Sequence, residues 1–240
     1  MTSPTHGRPA VVLLSGGIDS ATVLTIARNE GFRVYSLSVR YGQRNAVELE
    51  AARAVAAAQG VEEHVEASVD LHLFGGSSLT AAIDVPKAAS FGERNPDPVP
   101  NTYVPARNTI FLSLALAWAE TLGADDIFIG IHATDRGGYP DCQPGFLAIY
   151  EQLAAVATNR GLAGSPITIH APLLSRGLGK SQVIRLGLDL GVDYSLTWTC
   201  FDPGERGDAC GQCDACLLRL QGFAEAGEED PAGYLERGAL

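Results

Sequence analysis

Short apolar runs alternate with longer segments of helical periodicity along most of the chain. The apolar runs carry little internal alternation, which is typical of buried parallel strands. We expect strands at residues 10–14, 34–39, 64–67, 127–131 and 167–173. Apolar residues at helical spacing, with glycines after several of the segments, predict helices at residues 21–30, 45–59, 109–122, 144–160 and 181–190.

This alternation predicts an α/β fold, a Rossmann-like parallel sheet with helices on both of its faces. Ligands of such sheets bind beyond the carboxyl ends of the strands. The polar loops that follow the strands should therefore meet at one edge of the sheet, where we expect the active site.

Two stretches interrupt the pattern. Residues 75–105 are irregular and hold five of the 13 prolines, so we interpret them as a lid, a binding loop or an interface arm. After residue 193 the alternation stops, and the acidic residues 225–230 are expected to be a solvated end. We therefore divide the chain into an α/β domain, 1–195, and a C-terminal segment, 196–240.

The connection between the first strand and the first helix carries the strongest chemical signal, residues 15–20 (SGGIDS). Two glycines allow a tight turn, and its amides together with the helix N-terminus form a cradle for an anion. Ser15 and Ser20 add hydroxyl donors. Asp19 beside a phosphate favours a bridging divalent cation. A capped helix after a Gly-Gly turn is the simpler alternative.

Two other nucleotide-binding motifs are excluded. No GxGxxG follows the first strand, and residues 179–181 (GKS) lack the first glycine of a P-loop because Leu174 stands there. Lys180 still opens a helix after a strand, in position to reach a phosphate. A solvated lysine is the alternative.

The five cysteines divide into one cluster and one isolated residue. Cys142 stands alone, and we interpret it as a buried or loop thiol rather than a nucleophile. The cluster is Cys200, Cys210, Cys213 and Cys216. Four thiolates at this spacing predict a closed, structural Zn²⁺ site, with an iron–sulfur cluster as the rival.

Charge and hydropathy narrow the class of protein. Among 240 residues, 17 Lys and Arg face 28 Asp and Glu, a net charge of −11, which argues against a nucleic-acid backbone as the main partner. The first ten residues lack the apolar core of a secretion signal. No run approaches the roughly 18 apolar residues that span a bilayer. We expect a cytoplasmic protein that does not contact membranes.

Several motifs together resemble one enzyme family. The SGGIDS loop is similar to the pyrophosphatase loop of the ATP-pyrophosphatase (PP-loop) superfamily. The 7-cyano-7-deazaguanine synthases of queuosine biosynthesis, members of that superfamily, resemble this chain at residues 41–44 (YGQR), 103–109 (YVPARNT), 138–142 (GYPDC), 196–200 (LTWTC) and 210–216 (CGQCDAC).

The resemblance implies a carbon–nitrogen ligase. The reaction converts 7-carboxy-7-deazaguanine and ammonia to the nitrile through adenylated intermediates and an amide, and releases AMP and pyrophosphate. It further implies a homodimer, one zinc ion per subunit on the four cysteines, and ATP with Mg²⁺. The implied ATP-binding residues are Leu14, Ser15, Gly16, Gly17, Ile18, Asp19, Ser20, Ala21, Thr22, Val23 and Leu24. A relative that thiolates tRNA or forms lysidine is the alternative, and the acidic charge disfavours it.

The candidate residues form one catalytic set and three pairs of alternatives for substrate binding. Asp19, Lys180 and Arg107 are the candidate catalytic residues. A carboxylate pairs with the guanine edge, an aromatic ring stacks on its face, and an arginine grips the substrate carboxylate. The respective candidates are Asp135 or Asp141, Tyr139 or Phe146, and Arg107 or Arg136. The sequence departs from the usual family pattern at Arg136, Gly137, Gln143 and Gly145.

Overall fold

The computed structural model of the protein describes residues 7–43, 47–90, 92, 99–132, 139–204 and 207–235. Its strands are β1 (Pro9–Leu13), β2 (Arg33–Arg40), β3 (Glu63–Ser68), β4 (Asp126–Phe128) and β5 (Thr168–His170). They form a parallel sheet in the order β3-β2-β1-β4-β5. The chain winds outward from β1 to β3 and then crosses to β4, so the direction of winding reverses between β1 and β4.

Helices connect and follow these strands. They are α1 (Ile18–Asn29), α2 (Val47–Gln59), α3 (Arg107–Leu122), α4 (Pro144–Ala157), α5 (Asn159–Leu162), α6 (Pro172–Ser175), α7 (Lys180–Asp189) and α8 (Asp214–Ala226). Short 3₁₀ turns lie at Leu71–Phe74, Pro140–Cys142 and Tyr194–Leu196. Within the described stretches, no helix combines the length and apolarity that crossing a bilayer requires.

The central strand β1 is buried on both faces. Ala10 and Val12 point into a core formed with α1, α2 and α7. Val11 and Leu13 point the other way, into a core formed with α3 and α4. Because alternate residues of one strand feed two apolar layers, helices cover both sides of the sheet. The predicted α/β class is confirmed.

Predicted and observed boundaries differ by up to three residues, as where β4 ends at Phe128 rather than residue 131. Three of the differences have a clear local cause. The fifth strand ends at His170 rather than residue 173, because Pro172 opens a new helix, α6. The predicted helix 144–160 is broken at Thr158, whose hydroxyl accepts from Gly161 N and caps α5. The first helix starts at Ile18, three residues early, because its first turn belongs to the polar SGGIDS loop and lacks an apolar repeat.

The C-terminal segment is ordered around a buried ion pair. Arg219 on α8 donates from Nε to both Asp230 carboxylate oxygens at 3.0 Å, and these side chains are only 2% and 4% exposed. The prediction of a solvated acidic end was therefore wrong at Asp230. After α8 ends at Ala226, the chain turns back at Gly227 and brings the Asp230 carboxylate beside the helix. Glu225 and Glu228 are exposed.

Candidate active site and metal centre

A cavity of about 760 Å³ opens at the carboxyl edge of the sheet. The segments that follow β1, β2 and β4 all line it, through Ser15, Tyr41 and His132 among others. The carboxyl ends of β1 and β4 flank the point where the winding direction reverses, which is where open parallel sheets bind ligands. The topology thus gathers polar side chains from distant parts of the sequence around one space.

The loop between β1 and α1 is held in a tight turn. Gly16 has a φ of +84°, and a Cβ atom there would lie 2.4 Å from the Glu48 carbonyl oxygen, so the position requires glycine. Ser15 N donates to Ser20 Oγ at 3.2 Å, and the two hydroxyl oxygens are 3.0 Å apart. Gly17 caps α1 without a side-chain acceptor. The first amides of α1 are therefore left for an anion in the cavity.

Some of the predicted ATP-binding residues line the cavity, and others are buried behind it. The following line the cavity: Leu14, Ser15, Gly17, Ile18, Asp19 and Ser20. Gly16 lies outside the lining because it packs on the start of α2. Ala21, Thr22, Val23 and Leu24 also lie outside the lining and are fully buried, because only the first turn of the helix faces the opening. Thr22 instead bonds Tyr194, with its hydroxyl 2.8 Å from the tyrosine hydroxyl.

Asp19 and Lys180 meet at the floor of the cavity. Lys180 Nζ donates to both carboxylate oxygens of Asp19 at 2.7 Å, and His132 Nε2 lies 3.6 Å from Asp19 Oδ2. Lys180 is buried, so the alternative of a solvated lysine was wrong. Burial alone raises the pKa of Asp19, but the charges of Lys180 and His132 outweigh burial and hold the pKa below its ordinary value.

The cavity lining also carries a second group of charged and phenolic side chains. The Arg107 guanidinium lies 5.8 Å from the centre of the Tyr41 ring, and Glu48 faces both residues. Burial lowers the pKa of Arg107, but Tyr41, Tyr139, Glu48 and Asp141 raise it to a net increase, which keeps the guanidinium charged. Burial raises the pKa of Glu48 to about 7, against the opposing charge of Arg107.

The substrate candidates take different positions. Arg107 and Tyr139 line the cavity, and Tyr139 lies 5.9 Å from the Tyr103 ring, centre to centre. Phe146 packs on Tyr150 outside the lining. Asp135 and Arg136 lie outside the described residues.

Asp141 does not line the cavity but organises its wall. Asp141 Oδ2 accepts from the main-chain N of Asn108 at 2.8 Å, in the first turn of α3. The Asn108 side-chain amide donates to the Asp141 carbonyl at 3.1 Å and to Cys142 Sγ at 3.3 Å. Cys142 is buried. These bonds fix the start of α3 and therefore the position of Arg107.

The four clustered cysteines form a site for one metal ion. All are buried, and their sulfur atoms lie within 4.8 Å of one another. A tetrahedral ion with metal–sulfur bonds of about 2.3 Å holds its sulfurs about 3.8 Å apart, and Cys210 Sγ and Cys216 Sγ are 4.0 Å apart. Main-chain N–H groups of Gln212 and Cys213 point at Cys210 Sγ, which favours the thiolate form.

Comparison with known proteins places the chain in a family. The sequence profile described as "Queuosine biosynthesis protein QueC" matches residues 9–227. The chain belongs to the QueC family. A 7-cyano-7-deazaguanine synthase from Paramagnetospirillum magneticum is 58% identical to this QueC chain, over 95% of this chain and 99% of the relative.

Other similar proteins were found among curated sequences and solved structures. A 7-cyano-7-deazaguanine synthase from Kineococcus radiotolerans is 57% identical over 97% of this chain and 99% of its own length. The structure of NMN synthetase from Francisella tularensis aligns over 94% of this chain and 79% of its own, at 17% identity and a TM-score of 0.48.

In this QueC chain the cysteines and the residues just before them contact both the stretch 75–105 and the SGGIDS loop. Lys87, within the predicted lid 75–105, pairs with Cys213 as an antiparallel bridge, and Val85 packs among the cysteines. Trp198 N, just upstream of Cys200, donates to the Gly16 carbonyl at 2.9 Å. The chain around the four cysteines therefore holds part of the stretch 75–105 in place and supports the SGGIDS loop.

Sequence reasoning missed several residues of this QueC site. His132 and Trp198 line the cavity, but neither was a candidate. Trp198 belongs to the motif at residues 196–200, which carried the resemblance without assigning this side chain a role. Arg219 holds the chain before Cys200, donating to Thr197 Oγ1 at 2.9 Å and to Thr199 Oγ1 at 3.1 Å. Glu48 lies four residues after the YGQR motif. It was missed because acidic residues in the first turn of a helix are usually solvent-exposed.

Proposed function

We propose that this QueC chain catalyses the ATP-dependent conversion of 7-carboxy-7-deazaguanine and ammonia to 7-cyano-7-deazaguanine. The observation that carries the proposal is the 58% identity, over 95% of this chain and 99% of the relative, to a protein named as that synthase. The site supports it, because the SGGIDS loop, which can cradle a phosphate, and the cationic and aromatic side chains Arg107 and Tyr139 line the same cavity.

In the first stage the substrate carboxylate is activated. One carboxylate oxygen attacks the α-phosphorus of ATP, and pyrophosphate leaves. The acyl adenylate then reacts with ammonia, whose nitrogen bonds to the acyl carbon while the carbon–oxygen bond to AMP breaks. Activation is needed because a free carboxylate has no leaving group that ammonia can displace.

In the second stage the amide is dehydrated. The amide oxygen attacks a second ATP in the same way and becomes an adenylate. Loss of AMP and of the two N–H protons then leaves the carbon–nitrogen triple bond. Each stage consumes one ATP and releases AMP and pyrophosphate, so one phosphate cradle serves both.

The residues of the cavity divide the work by charge. The first amides of α1 and the Lys180 ammonium bind phosphate oxygens. Asp19 keeps free lone pairs on each oxygen beside its bonds to Lys180, and so also suits a Mg²⁺ ion, which would neutralise pyrophosphate charge. Arg107 binds the substrate carboxylate and Tyr139 stacks on the base.

Zinc is the metal we propose for the cysteine site. One four-coordinate ion fits sulfur atoms within 4.8 Å, whereas a four-iron cluster would spread its thiolates further apart. Four protein ligands leave no open position, so the ion stabilises the segment rather than acting on substrate.

The proposed assembly rests on the family resemblance, and the proposed location rests on the cysteines. We propose a cytoplasmic homodimer that acts on small molecules and not on RNA. Cysteines that hold a metal ion instead of forming disulfides suit a reducing compartment, and the net charge of −11 opposes binding to a nucleic-acid backbone.

Product analysis tests the proposed function. Purified protein is incubated with 7-carboxy-7-deazaguanine, ammonium and Mg-ATP, and products are identified by mass spectrometry. We expect the nitrile, AMP and pyrophosphate, each dependent on all substrates. Formation of ADP and phosphate, or turnover without the deazaguanine, would contradict the proposal.

A further inference from the structure

Glu48 lies beside both the SGGIDS loop and Arg107. It belongs to the first turn of α2, and its side chain lines the cavity. Its carbonyl oxygen packs so closely on Gly16 that no Cβ fits between them. The start of α2 is therefore seated directly on the SGGIDS loop, and the carboxylate is near enough to Arg107 for the two charges to interact.

The Glu48 carboxylate is not committed to a structural contact. Within the described ranges it makes no hydrogen bond or ion pair, and the Arg107 charge acts on it through space. Tyr41 is its other described titratable neighbour. A carboxylate held at a cavity wall with unused lone pairs is available to a small cationic ligand.

The other acidic groups of the described cavity lining are already engaged. Asp19 is paired with Lys180 and approached by His132. Asp214 opens α8 directly after the metal-site residue Cys213 and makes contacts of its own. Glu48 is thus the acidic side chain of this lining that remains open to a ligand.

The proposed reaction needs a base that deprotonates ammonium near the acyl adenylate. At neutral pH ammonia is almost entirely ammonium, which has no lone pair and cannot attack an acyl carbon. A carboxylate attracts the cation and can take its proton. Because burial raises the pKa of Glu48 to about 7, the group is a stronger base than an ordinary carboxylate and still ionised in part at neutral pH.

We propose that Glu48 binds ammonium at the cavity wall and removes its proton, delivering ammonia to the acyl adenylate. This inference rests on the proposed function and adds a residue and a nitrogen site to it. One ammonium N–H bond breaks and its proton passes to the Glu48 carboxylate. The freed lone pair forms the carbon–nitrogen bond, the carbon–oxygen bond to AMP breaks, and the departing phosphate oxygen takes the second proton. Protonated Glu48 then releases its proton to water.

The test compares Glu48→Gln with a matched control, Glu50→Gln, which removes an exposed carboxylate from the same helix turn. With ammonium as nitrogen source, kcat/KM for ammonium should fall about 100-fold or more in Glu48→Gln, the size of a lost general base. The control should match the wild type. Thermal melting and metal content establish that both variants are folded.

Two further substrates separate proton removal from a structural effect. Hydroxylamine is largely uncharged at neutral pH and needs no deprotonation, so Glu48→Gln should form the hydroxamate within about threefold of the wild-type rate. The amide intermediate needs no ammonium, so its conversion to the nitrile should also be within about threefold. The shorter carboxylate in Glu48→Asp should give an intermediate loss with ammonium alone.

Opposite results would overturn the assignment. Near-normal use of ammonium by Glu48→Gln removes the base role, and an equal loss with hydroxylamine or the amide shows a general defect of the site. Wild-type nitrile formation is measured in the same series. Its absence would contradict the proposed function itself and is thereby distinguished from failure of the Glu48 assignment.

Discussion

At the scale of single residues, the pair formed by Asp19 and Lys180 organises the floor of the cavity. Lys180 is the first residue of α7 and Asp19 lies in the first turn of α1, so two helix N-termini converge on one point. Helix N-termini carry partial positive charge, and Lys180 adds a full one. Asp19 offsets part of this positive charge, and the remainder would attract a phosphate.

Separating this pair should cost stability, whereas removing both charges should not. Lys180→Met leaves the largely buried Asp19 carboxylate without its closest partner, and we expect the free energy of unfolding to fall by about 3 kcal/mol. The double variant with Asp19→Asn should recover most of that loss yet form no AMP. Urea denaturation and AMP release measure the two effects. Equal stability of the single and double variants would show that the charges are not coupled.

Glu48 should make stability depend on pH. Its pKa is raised by burial to about 7 from an ordinary value of 4.5. Between these values the folded protein holds a proton that the unfolded chain has released, so stability falls as pH rises through this window. Wild type should therefore lose on the order of 1 to 3 kcal/mol relative to Glu48→Gln between pH 4.5 and pH 8. Parallel unfolding curves for the two proteins would refute the raised pKa.

At the scale of elements, α7 and α8 pack closely around the stem of Lys180. A Cβ atom on Gly222 of α8 would lie 2.6 Å from Lys180 Cγ and 2.8 Å from Ile184 Cδ1. Glycine at this position makes room for the lysine stem. The C-terminal helix therefore helps aim Lys180 at Asp19.

Gly222→Ala should disturb the aim of Lys180 without removing a chemical group. We expect a loss of about 1 to 3 kcal/mol from overpacking and a slower release of AMP, with the metal retained. Gly145→Ala is the matched control, because Gly145 lies in α4 with open space around its Cα atom. Alanine there should be neutral or slightly stabilising. Unchanged AMP release by Gly222→Ala would remove this helix contact from the account.

Periodicity and motifs predicted elements better than they predicted contacts. The apolar runs placed β1, β2 and the long helices because buried strands and amphipathic helices have local signals. The break at Thr158 and the early start of α1 depend on single hydrogen bonds and loop geometry, which have none. Arg219 and Asp230 form their pair through a turn that follows α8, so the sequence alone shows only a basic residue and an acidic run.

At the scale of the whole molecule, the cysteine segment connects parts that are distant in sequence. Trp198 N donates a hydrogen bond of 2.9 Å to the Gly16 carbonyl in the SGGIDS loop. Lys87, in the stretch 75–105, pairs with Cys213 as an antiparallel bridge. Ala88 N also donates to the Gln212 carbonyl at 3.0 Å. Metal binding should therefore order the cavity from outside it.

Removal of the metal should first weaken substrate binding. Cys213→Ser breaks the four-ligand set, and loosening of the adjoining loops should raise KM for ATP about tenfold, a cost of about 1.4 kcal/mol, before it lowers kcat. Elemental analysis should show metal loss in this variant and full metal content in Cys142→Ser. Unchanged KM and melting temperature in a metal-free variant would contradict the structural role.

Transfer of carboxylate oxygen to AMP tests the central claim, adenylation of the substrate, most directly. The substrate is prepared with oxygen-18 in both carboxylate positions and turned over to the nitrile with unlabelled ATP in ordinary water. Each stage moves one substrate oxygen to an α-phosphate, so we predict two AMP per nitrile, each carrying one oxygen-18, and unlabelled pyrophosphate. Unlabelled AMP, or label in phosphate released with ADP, would contradict the account.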